Sequence, residues 1–448
     1  MTSTLGVTLV SESGLAGLEL SPAQRKWVET SSFTGQRGRL LALPGEGGSI
    51  SGYLFGIGAP ADRPPLVAGL AAAALPEGHY SLSGELGDPT LAAIAFRLGA
   101  YRFGKYKKTQ PGPTCEVPTG ADADEVERQV EAAVLARDLI NTPANDLGPD
   151  ALETAIKTFA EARNMSFAVT RGEDLLRDNF PMIHAVGRAS AQAPRLVDLR
   201  WGDAAAPKVT LVGKGVIFDT GGLDIKTAAG MLLMKKDMGG AANILGLAHT
   251  IVSAKLPVRL RVLIPIVENA ISATAFRPGD VLPSRKGLTV EIGNTDAEGR
   301  LILADALALA DEERPDLIID MATLTGAARV ALGPDLPAAY SSDDAIGREL
   351  VAGAGGVEDP LWLMPLWAPY EGLLSSRIAD INNAASGGHA GSITAALFLR
   401  KFVANAKAWV HLDIMAWAPD ARPGRPVGAT DQGIRACYAL IRKRYGTN

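Results

Sequence analysis

Cysteine and histidine are scarce in this chain of 448 residues, and their scarcity argues against several kinds of site. The two cysteines, Cys115 and Cys437, lie far apart and form no CxxC pair. That arrangement disfavours a disulfide scaffold or a thiolate zinc site and suits a reducing cytosol. None of the five histidines has HExxH spacing, so a zinc site built mainly from histidine is also disfavoured.

The sequence also lacks a strong charge imbalance and a long apolar run. Its formal net charge is −5 and it has no basic block, so the composition gives no reason to expect nucleic acid as a partner. The start, "MTSTLGVTLV", has no signal-peptide pattern, and the alanine-rich "LVAGLAAAALP" is too short to cross a bilayer. We therefore expect a soluble, cytoplasmic protein with no membrane partner.

The length favours two domains, because a single hydrophobic core rarely grows to this size. The segment "KKTQPGPTCEVPTGADAD", residues 107–124, contains three prolines and two glycines, a composition that predicts neither helix nor sheet. We place a boundary there, with a first domain at residues 1–119 and a second at residues 120–448. The acidic run that follows contains good helix formers and predicts a linking helix over residues 120–140.

Beyond residue 190, apolar runs of strand length alternate with helical patterns such as "MGGAANILGLAHTIVSA" and "LILADALALADEE". The strand-like runs include "RLVDLRW", "KVTLVGKGVIF", "VRLRVLIPIVEN", "LTVEIGN", "DLIIDMATL" and "AWVHLDIMAW". The alternation predicts an α/β domain with a mixed, largely parallel sheet flanked by helices. We expect the linking helix to join it to a smaller N-terminal α/β domain. Ligands in such folds bind beyond the carboxyl ends of the strands, where most of the polar clusters fall.

The first polar cluster follows a predicted strand in "VGKGVIFDTGGLDIK". Asp219 enters a glycine-bearing turn, and Lys226 comes after it. A solvated ion pair on a surface loop is one interpretation, and such a pair contributes little stability. A phosphate-binding loop is another, although the pattern GxxxxGK[ST] is missing and no helix follows immediately.

Two further clusters stand just before predicted helices. In "MLLMKKDMGGAA", Asp237 is placed to cap a helix that begins near Gly239. In "GNTDAEGRL", Asp296 and Glu298 precede a helix, where the helix dipole favours negative charge. Capping explains one carboxylate there, but not two that are followed directly by Arg300.

The predicted strand and helix ends bring four carboxylates towards one place: Asp219, Asp237, Asp296 and Glu298. Carboxylates that close repel one another unless cations lie between them. Two divalent metal ions would remove the repulsion, with one carboxylate bridging them and the others chelating.

These blocks, in this order and at this spacing, closely resemble the leucyl aminopeptidase (cytosol aminopeptidase) family. The segments "VGKGVIFDTGGLDIK", "KKDMGGAA" and "NTDAEGRL" carry the resemblance, and "ARDLINTPAND", "DMATLTGAARVALG" and "IADINNAASGGHAGSITAALFL" support it. The resemblance makes the second domain the catalytic domain. The first domain corresponds to the variable part of the family.

The resemblance implies two divalent metal ions per subunit, zinc or manganese, with magnesium and cobalt as further candidates. Lys214, Asp219, Asp237 and Glu298 would hold one ion. Asp219, Asp296 and Glu298 would hold the other, and Asp296 would also offer its backbone carbonyl. Lys214 must be neutral to act as a ligand, and nearby dications would lower its pKa from the usual value of about 10.4.

The resemblance also implies hydrolysis of the first peptide bond in peptides that have a free N-terminus. Lys226 and Arg300 would be the catalytic pair. Two metals would activate a bridging water, bicarbonate on Arg300 would accept its proton, and Lys226 would stabilise the tetrahedral intermediate. The family further implies a homohexamer whose active sites face an interior chamber.

Three residues match family positions that line the pocket for the first substrate side chain: Met234, Thr323 and Gly326. Either Met415 or its neighbour Ala416 would close this pocket. A place in the hydrophobic core is the alternative for the two methionines.

Four other residues complicate the pattern. Asp224 stands where a small serine-like residue is usual, and Asp431 stands where glycine is usual, so a preference for leucine itself does not follow. His389 in a glycine-rich loop and His411 in a predicted strand could be mistaken for ligands. We expect His411 to be a satisfied interior histidine and assign catalysis to neither.

Three alternatives stay open at this point. One is another two-metal hydrolase of the phosphoesterase kind, which the scarcity of histidine disfavours. Another is a non-catalytic relative, which the intact ligand and catalytic positions disfavour. The third is a secondary DNA-binding role, to which the acidic charge balance gives no support.

Overall fold

The computed structural model describes residues 4–446 and divides into two compact units. The first unit extends to Val134 and includes residues 418–428, and the second comprises residues 135–417 and the chain from Ala429 onward. The predicted boundary at residue 119 stays a prediction. Residues 1–3 and 447–448 of the predicted domains lie outside the description.

The first unit is built on a five-stranded sheet with helices beside it. Its strands are β1 (Leu5–Val10), β2 (Leu40–Pro44), β3 (Ile50–Gly56), β4 (His79–Gly84) and β5 (Thr114–Cys115). Its helices are α1 (Pro22–Thr30), α2 (Gly69–Ala74), α3 (Pro89–Ala100) and the first part of α4 (Ala123–Asn141). The strand order is β2-β3-β1-β4-β5, and only β2 and β3 are antiparallel. The α/β prediction for this part of the chain is confirmed.

The proline-rich segment at residues 107–124 corrects the sequence analysis. It was expected to contain neither helix nor sheet, yet Thr114–Cys115 pairs in parallel with the start of β4. The strand lies at the edge of its sheet, where proline is tolerated because one side needs no ladder hydrogen bonds. A tertiary partner therefore outweighs the local composition here.

The later part of the chain contains the main sheet and two smaller sheets. Its strands are β6 (Ser166–Arg171), β7 (Arg195–Trp201), β8 (Lys208–Gly213), β9 (Gly215–Asp219), β10 (Arg259–Asn269), β11 (Val281–Pro283), β12 (Thr289–Glu291), β13 (Leu317–Ala322), β14 (Ala338–Ser341), β15 (Trp362–Leu363), β16 (Ile381–Asn382), β17 (Trp409–Asp413), β18 (Trp417–Ala418) and β19 (Gly428–Ala429). Its helices are α5 (Pro149–Glu161), α6 (Asp174–Arg177), α7 (Pro181–Gly187), α8 (Ala228–Met231), α9 (Gly239–Ser253), α10 (Glu298–Glu312), α11 (Gly326–Leu332), α12 (Asp344–Gly356), α13 (Gly391–Arg400) and α14 (Ile434–Tyr445).

The main sheet has the order β15-β14-β17-β13-β8-β10-β7-β6, and β9 also pairs with β10. Strands β8, β9, β10, β13 and β17 run parallel, whereas β6, β7 and β14 introduce antiparallel pairs. The predicted mixed, largely parallel sheet is confirmed. The run "LTVEIGN" differs from the expectation, because β12 belongs to a separate three-stranded sheet with β11 and β16.

Helices cover both faces of the main sheet. Side chains from α7, α10 and α13 form one buried cluster with residues of β8, β10 and β13. Helix α9 packs on the other side, where Gly240 lies so close to β13 that an added Cβ would be 2.1 Å from the Met321 carbonyl oxygen. Strands buried on both faces read as continuous apolar runs, which explains the composition of β10.

Candidate metal centre and active site

Several of the predicted site residues lie at or just after the carboxyl ends of parallel strands. Lys214 separates β8 from β9, and Asp219 is the last residue of β9. Thr323 directly follows β13, and Met415 comes shortly after β17. Because parallel strands end at the same edge of a sheet, segments that are remote in the sequence supply one site.

Asp237 does not cap helix α9, which is one of the two roles that the sequence suggests for it. Helix α9 begins after Met238 without a side-chain cap, and Asp237 lies in a short 3-10 helix, Met234–Met238, that leads directly into it. The Asp237 carboxylate instead accepts hydrogen bonds from Thr323 Oγ1 at 2.8 Å and from Lys214 Nζ at 2.9 Å. The capping prediction is therefore wrong, because the 3-10 turn directs this carboxylate into the site.

The other acidic pair stands at the start of α10. Glu298 is the first residue of the helix, and its N-cap, Ala297, makes no side-chain capping bond. Asp296 lies two residues earlier, in the turn that enters the helix. Both carboxylates gain from the helix dipole, but neither serves as the cap.

Two lysine ammonium groups hold the carboxylates together. Lys214 Nζ lies 2.8 Å from Asp237 Oδ2 and 3.0 Å from Glu298 Oε1, and it donates to the Thr323 carbonyl at 2.9 Å. Lys226 Nζ lies 2.8 Å from Asp219 Oδ2 and also pairs with Asp296. The structure thus brings all five predicted ligands and one predicted catalytic residue into contact.

The cluster contains four carboxylates but only two lysines, so the lysines do not balance its full negative charge. Burial and the neighbouring Asp219 charge raise the pKa of Glu298 well above its usual range. The same two causes raise the pKa of Asp296 to about 6. Burial opposes a charged Lys214, yet the surrounding carboxylates raise the pKa of its amine above the ordinary value. Further positive charge is therefore favoured at this place.

The donor set fits divalent metal ions. Oxygen atoms from Asp219, Asp296 and Glu298 lie within 4.8 Å of one another. Asp237 Oδ2 and both Glu298 oxygens are buried. The first two atoms, Asp237 Oδ2 and Glu298 Oε1, pair with the Lys214 amine, whereas Glu298 Oε2 has no hydrogen-bond or ion-pair partner among residues 4–446. Buried acceptors without partners are costly, and carboxylate oxygens are common ligands of divalent cations.

Arg300 lies beside this cluster, on the third position of α10. It is buried and does not line the cavity, unlike the other predicted site residues. Nη1 donates to the Asn383 carbonyl at 2.8 Å, whereas Nε has no partner in the described part of the chain. Burial lowers the pKa of the guanidinium to about 10, so it stays charged at neutral pH.

A cavity of about 490 Å³ opens over the carboxylates. The four predicted pocket residues, Met234, Thr323, Gly326 and Met415, all line it. The two methionines are half-buried on its wall rather than enclosed in the core. Their placement therefore agrees with a pocket, whereas Ala416 is fully buried and does not line the cavity.

The departures from the family pattern lie away from the cavity wall. Asp224 accepts a hydrogen bond from the Thr295 amide at 2.7 Å and ties two loops together. Asp431 is buried between Arg137 and Arg435, which neutralise it at hydrogen-bond distances of 2.9 Å. Neither carboxylate lines the cavity, so neither adds negative charge to its wall.

Neither histidine that could be mistaken for a ligand belongs to the carboxylate cluster. His389 is exposed. His411 is fully buried, and its Nδ1 lies 2.6 Å from Asp320 Oδ1, whereas Nε2 has no partner among residues 4–446. The interior position expected for His411 is therefore observed, with one ring nitrogen satisfied.

Three residues that the sequence analysis missed fix the ligand-bearing loops. Asn269, at the end of β10, donates to Asp219 Oδ1 at 2.8 Å and to the Thr295 carbonyl at 3.1 Å. Thr295 Oγ1 donates to the Gly221 carbonyl at 2.6 Å. Asn383 Oδ1 accepts from two amides of the loop that carries Asp296. Polar residues after the apolar run of β10 and in the "NN" pair were the available signals.

Lys236 also lines the cavity and was not predicted to do so. Its side chain lies next to Asp237 in sequence and is buried. Burial lowers the pKa of its amine to about 8, so the amine still carries its proton at pH 7.

Comparison with known proteins agrees with this geometry. The model of the cytosol aminopeptidase family, catalytic domain, matches residues 134–438, and that of the M17 aminopeptidase N-terminal domain matches residues 12–114. A probable cytosol aminopeptidase of Caulobacter vibrioides is 37% identical, with 98% of this chain and 95% of the relative covered. None of the described helices is both long and apolar enough to span a membrane.

Solved structures show the same architecture. The crystal structure of the cytosol aminopeptidase from Coxiella burnetii matches with a TM-score of 0.94 and 44% identity, covering 99% of this chain and 98% of that one. The bottromycin maturation enzyme BotP in complex with Mn matches with a TM-score of 0.89 and 31% identity, covering 99% of this chain and all of that one (100%). The chain therefore belongs to the cytosol aminopeptidase family.

Proposed function

We propose that this peptidase removes the first residue from peptides by two-metal hydrolysis. The observation that carries the proposal is Glu298 Oε2, a buried carboxylate oxygen with no partner among the described residues, in a group of carboxylates whose oxygens lie within 4.8 Å of one another. The other Glu298 oxygen and Asp237 Oδ2 face Lys214, whose amine is a further candidate ligand. One ion would be held by Lys214, Asp219, Asp237 and Glu298, and the other by Asp219, Asp296 and Glu298.

Metal ions bound there would take the free α-amine of the substrate and supply Lewis acidity for the peptide carbonyl and for a water nucleophile, which restricts hydrolysis to the first peptide bond. Zinc and manganese are the first candidates, and the relative crystallised with Mn supports manganese. Magnesium and cobalt are the other candidates.

Lys226 is suited to stabilise negative charge on the substrate carbonyl. Its amine is held by Asp219 and Asp296, and its side chain lines the cavity. These carboxylates raise the pKa of Lys226 above the ordinary lysine value although burial opposes the charge. The attraction between a fixed ammonium group and the carbonyl oxygen strengthens as that oxygen becomes an oxyanion.

Arg300 is suited to hold bicarbonate as the general base. Its Nη1 is fixed by the Asn383 carbonyl, while Nε donates to no described residue. A guanidinium whose Nε–H group has no acceptor can donate paired hydrogen bonds to the two oxygens of a planar anion. Bicarbonate bound there would accept the proton of the nucleophile, and no side chain is needed for that step.

The assay compares three substrates on protein reloaded with manganese or zinc. They are leucine p-nitroanilide, its N-acetylated form and a phosphate monoester. We expect turnover of the free-amine anilide alone, because the acetylated nitrogen is a poor metal ligand. Cleavage of the phosphate monoester, or equal cleavage of the two anilides, would contradict the proposal.

The proposed assembly is a homohexamer that acts on peptides with a free N-terminus. What supports an assembly is the exposure of large apolar side chains on the single chain, including Leu232 at 78% and Val330 at 84%. Light scattering on purified protein measures the number of subunits directly. A monomer at micromolar concentration would contradict this part of the proposal.

A further inference from the structure

A buried cation without a direct ion-pair partner lines the wall of the candidate cavity. The Lys236 side chain is only 6% exposed, yet its amine makes no hydrogen bond or ion pair with the residues that the structure describes. Lysine is rarely buried to this extent unless a partner neutralises it. The amine therefore has room for a direct partner and borders a space that is large enough for a substrate.

Arg329 is a second cation on the same wall. It lies one turn after Gly326 on α11, lines the cavity and forms no ion pair within residues 4–446. Its Nη1 is 3.9 Å from Met415 Sδ, which places it beside two of the predicted pocket residues. Burial is the main cause that lowers the pKa of Lys236, Asp237 and Asp413 raise it, and Lys214 and Arg329 lower it further.

The carboxylates nearest these cations are already occupied. Asp413 accepts four hydrogen bonds, from the amides of Leu324 and Thr325 and from the hydroxyls of Thr325 and Ser392. Asp237 pairs with the Lys214 amine at 2.8 Å. The wall near Met415 therefore presents two cations, and no carboxylate among residues 4–446 forms a direct ion pair with either of them.

We propose that Lys236 and Arg329 select substrates whose first side chain carries a carboxylate, namely aspartyl or glutamyl peptides. This inference rests on the proposed aminopeptidase function and deepens it. An acidic side chain would supply a direct ion-pair partner, and a charge pair is stronger in a water-poor cavity than on the surface. The methionine side chains would pack against the aliphatic part of a glutamyl residue.

The test measures kcat/KM for glutamyl and glutaminyl p-nitroanilides, which differ in charge but hardly in shape. For the reloaded wild-type enzyme we expect a glutamyl-to-glutaminyl ratio of about 10 or more, since hydrogen bonds to charged groups typically change binding by factors of this size. Lys236→Met should lower the ratio about tenfold or more, and Arg329→Gln should lower it less because Arg329 is exposed. Aspartyl and asparaginyl anilides repeat the comparison with a shorter side chain.

Lys235→Met is the matched control. The Lys235 amine donates to the Asn141 carbonyl at 2.6 Å and lies over the Trp417 ring, and the residue does not line the cavity. We expect this variant to keep the wild-type ratio. An equal change in the Lys235 and Lys236 variants would overturn the inference.

The outcomes for the inference and for the proposed function are distinct. If no aminoacyl anilide is cleaved, the proposed function fails. If leucine p-nitroanilide is cleaved but the wild-type glutamyl-to-glutaminyl ratio is one or lower, only this inference is overturned. Should Lys236→Met fail to fold by circular dichroism, the wild-type ratio and Arg329→Gln still decide, because Arg329 lies on the surface of α11.

Discussion

The amine of Lys214 lies 2.8 Å from Oδ2 of Asp237, and both groups are almost fully buried. Glu298 adds a second carboxylate 3.0 Å from the same nitrogen. A lysine at this place has two possible uses, since its protonated form neutralises the carboxylates and its neutral form is a nitrogen ligand. The proposed metal centre depends on the exchange between these two forms.

The first prediction concerns Lys214→Met, which keeps the length of the side chain but removes the amine. In the metal-depleted protein we expect the free energy of unfolding to fall by about 3–5 kcal/mol, because buried carboxylates lose their cation. Urea unfolding after chelation measures this change. Added metal should restore part of the loss, since metal ions replace the missing charge.

Lys157→Met serves as the control for this variant, because its side chain is 57% exposed in a surface pair with Glu161. Exposed pairs of this kind contribute at most about 1 kcal/mol. If Lys214→Met and Lys157→Met unfolded at the same urea concentration, Lys214 would not be the cation that stabilises the site.

The second prediction separates stability from activity at Gly299. A Cβ added to this residue of α10 would lie 2.5 Å from Lys214 Cε and 2.7 Å from its Nζ. Gly299→Ala should therefore displace the Lys214 amine and reduce metal content and turnover, whereas alanine itself favours the helix by about 0.5–1 kcal/mol. Metal analysis by mass spectrometry and thermal unfolding measure the two effects.

Gly353→Ala is the corresponding change on an exposed face of α12, where an added Cβ meets no atom within 4 Å. This control should gain stability and keep both metal content and activity. Full metal content and full turnover in Gly299→Ala would show that the Lys214 position is not needed.

The third prediction concerns Arg300. Arg300→Ala should lower kcat by a factor of about 10²–10⁴, which is the usual contribution of a general base, and should leave the metal content unchanged. Arg300→Lys should rescue little, because an ammonium group cannot form the paired hydrogen bonds of a guanidinium. Removal of bicarbonate from the buffer should slow the wild-type enzyme and have little effect on either variant. Loss of metal from Arg300→Ala would instead assign Arg300 a structural role.

Local sequence patterns place the candidate ligand residues near one another because the strand ends determine their positions. The carboxyl ends of β8, β9 and β13 meet at one edge, so an acidic residue directly after an apolar run falls near the others. The helix-cap pattern alone suggests the wrong contact for Asp237, because a preference for helix caps does not show which way a 3-10 turn directs the side chain. The grouping of four carboxylates, in contrast, places Asp237 where the structure has it.

The sequence does not show which polar residues form hydrogen bonds with distant parts of the chain. Asn383 Nδ2 donates to the carbonyl of Asn294 at 2.8 Å, a contact that links segments remote in the chain. Lys236 was equally hidden, since the motif "MKKDM" does not show which of its two lysines lines the cavity. The folded structure separates the two, since Lys235 donates to the Asn141 carbonyl whereas Lys236 lines the cavity.

The last prediction uses pH and concerns Asp305, a fully buried carboxyl on α10. Its Oδ2 accepts from the Met182 amide at 2.8 Å, at the start of α7, and its Oδ1 accepts from the Arg285 amide at 2.9 Å. Burial nevertheless raises the pKa of Asp305 to about 7, against about 3.9 in an unfolded chain. The folded state therefore binds the proton more tightly than the unfolded state.

It follows that the stabilising contribution of the Asp305 proton is complete below pH 4 and is lost as the pH rises through about 7. Asp305→Asn has no proton to lose, so the difference in free energy of unfolding between wild type and variant should move by up to ~4 kcal/mol in favour of the variant between pH 4 and 8. Urea unfolding at several pH values measures it, with Asp344→Asn, on an 88% exposed side chain, as the control. A difference that stays constant over this range would mean that the amide hydrogen bonds keep Asp305 ionised despite its burial.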